Sequence, residues 1–114
     1  MSKRIYVAYV GGTIGMRATA SGYAPVPGHL TAQVRDLPEL DAELSIGEYE
    51  PLLDSANARP SDWLRIARDI VARRDDFDGF VVLHGTDTMA YTASALAFLL
   101  RGLGKPVIVT GSQI

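Results

Sequence analysis

The sequence predicts an α/β fold in three layers, a parallel sheet with helices on both faces. Short runs of β-branched and aromatic residues recur at 4–10, 44–53, 80–83 and 106–110. Segments of helical periodicity separate them. Strands alternating with helices imply parallel strands joined by right-handed crossovers. The 114 residues, 47% hydrophobic, suffice for one domain with a modest core.

The first strand is expected over 4–10. A polar segment rich in glycine and proline follows as far as Gly28. Connections in α/β units usually run about 2–6 residues, so a loop this long reads as functional or disordered. A short helix is expected over 29–37 and a second strand over 44–53, entering the turn-forming Asp54-Ser55-Ala56-Asn57. Pro60-Ser61-Asp62 opens the next helix, with Arg59 and Ser61 both eligible as its cap. Trp63, Ile66, Ala67, Ile70 and Val71 recur at i, i+3, i+4, i+7 and i+8, the spacing of a face packed on a sheet. Asp78-Gly79 turns the chain into a third strand over 80–83. The helix over 88–101 is apolar nearly all round, which predicts burial on two sides. Gly102 and Gly104 end it, and a fourth strand is expected over 106–110. Residues 107–114 form a core strand and the start of a turn with nothing after them. A wholly apolar parallel strand needs helices on both faces, so an incomplete, amino-terminal part of a larger domain is expected.

Composition excludes several classes. A net charge of -2 and dispersed arginines leave no footprint for nucleic acid. Without cysteine there is no disulfide framework or thiolate site. The two histidines are not spaced for ligation, so no metal site is expected. Met1-Ser2-Lys3-Arg4 runs straight into a strand with no export signal. The most apolar stretch, 89–100, falls short of the roughly 20 residues that cross a bilayer. A cytoplasmic location and no membrane partner are expected.

Chemistry-bearing residues follow the strands. In an open parallel sheet the carboxyl ends lie side by side, and ligands bind in the crevice outside them. Gly11-Gly12-Thr13 follows the first strand, and His84-Gly85-Thr86-Asp87-Thr88 the third. Thr13 reads either as a helix cap after a plain Gly-Gly turn or as a nucleophile beside amides able to stabilise an oxyanion. Asp87 reads either as a cap at a helix start or as the partner of a substrate ammonium, with Thr86 beside it. Asp54 and Ser55 suit either an Asx turn or a substrate carboxylate. Tyr23, beside Gly22, is either an exposed aromatic or a lid phenol relaying a proton. His84 reads as a satisfied strand-end residue before an acid–base group, and Gly111-Ser112-Gln113 ends the fourth strand at the same edge. Four strands delivering hydroxyl or carboxyl groups to one side favour a site for a small molecule.

Tyr9-Val10-Gly11-Gly12-Thr13-Ile14-Gly15-Met16 and His84-Gly85-Thr86-Asp87-Thr88-Met89-Ala90-Tyr91-Thr92-Ala93-Ser94 resemble the two signature segments of the bacterial-type L-asparaginases. The Ile-Gly-Met form, with no export signal, resembles their cytoplasmic type I branch. The resemblance includes 22–23, 49–55 and 104–113. It implies a Rossmann-like domain of which residues 1–114 are the amino-terminal part, the smaller carboxyl-terminal domain lying outside this chain. It implies hydrolysis of L-asparagine to L-aspartate and ammonia, without cofactor. Thr13 would attack the side-chain amide and Tyr23 help deprotonate it. Thr86 would sit near the carbonyl, and Asp87 would bind the α-ammonium. Asp54 would line the pocket, with Ser55 on the α-carboxylate. The parent protein would be a homodimer or homotetramer.

One departure matters. The family pairs its second threonine with a lysine on a later strand. Here Lys3 and Lys105 stand at the amino ends of strands, on the wrong side of the sheet, so that lysine is expected beyond residue 114 and the 114-residue chain alone is expected to be nearly inactive. Residues 38–45 are also short for a type I enzyme. The alternatives are an amino-acid-binding module without catalysis, and the asparaginase-like subunit of a tRNA amidotransferase.

Overall fold

The computed structural model describes residues 3–12, 16–26, 28–35, 41–53 and 58–111. Strands β1 (Lys3–Gly11), β4 (Ala42–Leu53), β5 (Gly79–Leu83) and β6 (Val107–Thr110) form a parallel sheet in the order β4-β1-β5-β6. Helices α1 (His29–Arg35), α2 (Pro60–Ala72) and α3 (Met89–Leu99) lie between strands, as expected. The sheet order steps outward from β1 to β4 and then reverses across β1 to β5 and β6. With right-handed crossovers, that reversal puts α2 and α3 on one face and the β1-to-β4 connection on the other.

Burial follows the two-residue alternation of the strands. Tyr6, Ala8, Val10, Phe80 and Val82 form one core cluster with Ile66, Ala67 and Ile70 of α2 and Leu96 of α3. Val7 and Tyr9, which point to the opposite face, are buried too. Helix α2 starts as its sequence predicts. Arg59 is the cap residue, Pro60 takes the first turn, and the Asp62 carboxylate accepts the Arg59 N–H at 2.9 Å. Glu48 on β4 accepts hydrogen bonds from the Gly28 N–H and the Thr31 hydroxyl, tying the start of α1 to the sheet.

Three expectations are corrected. The long polar loop contains an antiparallel ribbon, β2 (Met16–Thr19) with β3 (Gly22–Pro25), separate from the main sheet. Its strands are short and carry glycine and proline, so no period-2 pattern announces them. Val71 does not join the buried face of α2: it is 53% exposed, about 100° around the helix from buried Ile70. Helix α3 is covered on one side only. Thr92 and Leu96 are buried, whereas Tyr91, Phe98 and Leu99 are exposed, because the sheet and α2 meet a single stripe of it.

A polar clasp fastens α2 to the sheet. Asp69 Oδ2 accepts hydrogen bonds from the Tyr6 hydroxyl at 2.9 Å and the Tyr49 hydroxyl at 2.6 Å. Its other oxygen pairs with Arg73 at 2.6 Å. One carboxylate thus joins β1, β4 and α2. Burial first, and the adjacent carboxylate second, push the Tyr6 hydroxyl up to about 12 and Tyr49 higher still.

Replacing Asp69 by alanine leaves two hydroxyls without their acceptor. A loss of about 2–5 kcal/mol is expected in urea unfolding, with a smaller loss for Asp69→Asn. The tyrosines also set an alkaline limit. A phenol raised above its ordinary value near 10 stabilises the fold while protonated. That contribution is whole below about pH 10 and is lost as pH climbs toward about 12. Circular dichroism followed beside tyrosinate absorbance is expected to show structure failing in that window. Full ionisation near pH 10 with structure intact would contradict it.

Candidate active site

The sheet order reverses between β1 and β5, and this switch point is where an open α/β sheet leaves a crevice beyond its strand ends. Main chain crowds the place. Gly12 follows β1 with φ of 92°, and a Cβ on it would stand 3.0 Å from the His84 carbonyl oxygen and 3.3 Å from the Gly85 nitrogen. From the other side, a Cβ on Gly111, after β6, would strike the same His84 oxygen. Only glycine fits at either position. The ladder continues through this point, with the His84 N–H donating to Thr110 O at 2.9 Å.

Strand β4 reaches the same rim by an irregular register. Tyr9 pairs with Glu48, but Gly11 pairs with Leu53, so β4 bulges and returns. The carboxyl ends of β1, β4, β5 and β6 therefore meet, as expected from the sequence. Tyr9, to which the sequence assigns no role, is almost fully buried and donates from its hydroxyl to the Gly12 carbonyl at 3.2 Å. Nothing in the strand pattern distinguishes it from an ordinary core position.

Thr86 and Asp87 stand just outside β5, exposed, before Thr88 at the cap of α3. The Thr86 methyl carbon lies 3.4 Å from where a Gly111 Cβ would be. Tyr23 lies on β3, 60% exposed, in the ribbon that leaves the rim after β1. Thr13, Asp54 and Ser55 lie outside the described residues, as do Ser112 and Gln113. Their described neighbours Gly12, Leu53 and Gly111 are the residues that meet at the rim. His84 is a satisfied strand-end residue, with Nδ1 2.6 Å from Gly85 O and Nε2 2.9 Å from the Thr92 hydroxyl. Lys105 is bound to the carbonyls of Arg74 and Phe77, before β6 and at the opposite end of the sheet from the rim.

A cleft of about 500 Å³ opens beside the rim, lined among the described residues by Tyr9, Val26, Glu48, Pro51 and Leu52. Its size falls in the range of small-molecule sites, about 300–1,000 Å³. Thr86 and Asp87 are not in its lining, so it flanks the chemical groups without containing them.

A parallel α/β domain that presents a hydroxyl and a carboxylate beyond its strand ends, at the switch point, has the architecture of the open-sheet domains that bind ligands in that crevice. The chain is a member of the asparaginase family, whose amino-terminal domain, described as "Asparaginase, N-terminal", matches residues 4–114. It is 61% identical over 116 residues to L-asparaginase 1 of Escherichia coli K12, covering 98% of this chain and 34% of that protein. The crystal structure of L-asparaginase I from Vibrio cholerae superposes with a TM-score of 0.90 at 52% identity, over 100% of this chain and 35% of that one. A probable cytoplasmic L-asparaginase from Campylobacter jejuni gives 0.72 at 33% identity, over 97% of this chain and 36% of its own. The chain spans about a third of the length of these relatives. Among the described residues no helix is long and apolar enough to cross a membrane.

Gly12→Ala tests the rim. It combines an unfavourable φ with contact against the His84 carbonyl, and a loss of about 1–3 kcal/mol is expected in urea unfolding. A variant as stable as the wild type would show that the crowding is relieved by movement.

Proposed function

We propose that the protein is an amidohydrolase that converts L-asparagine to L-aspartate and ammonia, with these residues forming the amino-terminal part of its large α/β domain and a smaller carboxyl-terminal domain lying outside them. The observation that carries this reading is the convergence of Gly12, His84 and Gly111, which brings the chain just before Thr13 and just before Thr86 to one rim. Membership of the asparaginase family supports it.

Thr13 is the nucleophile. Its oxygen attacks the side-chain amide carbon while its proton passes toward the Tyr23 phenol. The carbon–nitrogen bond breaks as the proton taken from Thr13, relayed through the Tyr23 hydroxyl, reaches the leaving nitrogen, which departs as ammonia, and an ester to Thr13 remains. Water then cleaves that ester and releases aspartate. Thr86 lies beside the carbonyl under attack. Asp87 holds the α-ammonium, where a charge-assisted hydrogen bond is about twice as strong as a neutral one. Ser55 meets the α-carboxylate and Asp54 lines the pocket. The reading needs no metal or cofactor. The resemblance of this sequence to a probable cytoplasmic relative supports a cytoplasmic location, and the assembly is a homodimer or homotetramer.

Ammonia release by the whole protein tests the roles. Thr13→Ala is expected to lower kcat by about 10³-fold or more. Asp87→Ala is expected to raise KM for asparagine by about 10–100-fold, as loss of an ionic hydrogen bond should. Undiminished turnover in Thr13→Ala would end the threonine mechanism. The 114-residue chain by itself is expected to run several orders of magnitude below the whole protein, because both of its lysines stand at the amino ends of strands, away from the rim.

A further inference from the structure

Beneath the rim lies a buried polar chain that the reaction itself does not use. Thr92 is 0% exposed and His84 1%. The Trp63 indole N–H donates to Thr92 Oγ1 at 2.9 Å, and the same oxygen lies 2.9 Å from His84 Nε2. The other ring nitrogen, Nδ1, lies 2.6 Å from Gly85 O. A carbonyl oxygen only accepts and an indole N–H only donates. One arrangement satisfies every group: Trp63 donates to Thr92, the Thr92 hydroxyl donates to His84 Nε2, and His84 Nδ1–H donates to Gly85 O. The tautomer is assigned from that geometry. The chain has a direction, running from α2 through α3 to the end of β5.

We propose that Trp63, Thr92 and His84 are positioning residues whose hydrogen-bonded relay sets the peptide plane before Thr86 and so aims Thr86 and Asp87. The proposal rests on the amidohydrolase reading and adds groups that do not touch substrate. The final acceptor, Gly85 O, belongs to the peptide that also carries the Thr86 N–H. That peptide is planar and trans, so holding its carbonyl holds its N–H on the opposite side. The preceding peptide, His84–Gly85, is wedged between Gly12 and Gly111. With one peptide confined by crowding and the next by the relay, the main chain reaches Thr86 with little freedom left. An apolar trio would fill the same space, but it would fix no direction. A buried polar chain is worth its desolvation only when every member is satisfied, and among the described residues no buried side-chain nitrogen or oxygen lacks a partner.

The test uses the whole protein with Thr92→Val, which keeps the shape and removes the hydroxyl, together with Thr92→Ser and Trp63→Phe. Assays are run well below each variant's Tm. Thr92→Val is expected to lower kcat/KM for asparagine by about tenfold, the effect of one displaced hydrogen bond. Thr92→Ser is expected to stay within about twofold of wild type, because the relay survives, and Trp63→Phe to fall between. Unchanged kcat and KM in Thr92→Val, with only a lower Tm, would overturn the proposal. So would a Thr92→Ser variant as impaired as Thr92→Val, since the methyl contact rather than the hydroxyl would then matter. Nitrogen-15 NMR reads the relay without turnover. The wild type is expected to carry the proton on Nδ1 of His84, and Thr92→Val to move both the ring signals and the Thr86 amide. A proton on Nε2 instead, or an unmoved Thr86 amide, would overturn the relay even if asparagine is hydrolysed. A wild type that fails to hydrolyse asparagine while these NMR signals behave as expected would count against the functional reading alone.

Discussion

Crowding around the His84–Gly85 peptide governs the shape of the rim. Three stretches of main chain, at Gly12, His84–Gly85 and Gly111, approach so closely that no side chain fits at either flanking position. Contacts of that kind hold distances better than side-chain packing does, because backbone has few ways to yield. The constraint follows from topology. A sheet that reverses direction at β1 puts the ends of β1 and β5 side by side, and a pair of glycines lets them draw together. Thr86 and Asp87 follow directly from this crowded main chain.

Helix α2 connects the rim to the rest of the sheet. Near its start, Trp63 reaches α3 and, through Thr92, the end of β5. Six residues later, Asp69 gathers the hydroxyls of Tyr6 and Tyr49 from β1 and β4. At about 1.5 Å per residue, these two polar anchors stand roughly 9 Å apart along the axis. Ile66 and Ala67 between them, and Ile70 just beyond, supply the apolar contact. Area alone would let α2 slide over Val10 and Val82, since burial is not directional. The two polar ends give it a single seat. The Tyr6, Phe77 and Phe80 rings, with centroids 5.5–6.4 Å apart, support the strand ends opposite the rim.

Much of this was legible in the residues. The run from Ile5 to Val10 is β-branched, aromatic and small, and it forms the central strand. Pro60 and Asp62 mark the start of α2 because both suit a helix's first turn, whatever surrounds them. The position of Thr86 and Asp87 beyond β5 is legible because a strand leads straight into them, and the ends of parallel strands lie on one edge. The ribbon of β2 and β3 was not legible, because its pairing lies between Met16–Thr19 and Gly22–Pro25, neither with a strand pattern of its own. Periodicity could not separate Val71 from Ile70, since both fall on the apolar stripe and only the position of the sheet distinguishes them. Thr92 gave no signal. It looks like one small residue in an apolar helix, and its partners are 8 and 29 positions away. Reading it required the tertiary structure.

The ribbon that carries Tyr23 forms its own two-stranded sheet. Among the described residues its ladder bonds are internal, so loss of the ribbon's own pairing breaks no bond of the four-stranded sheet.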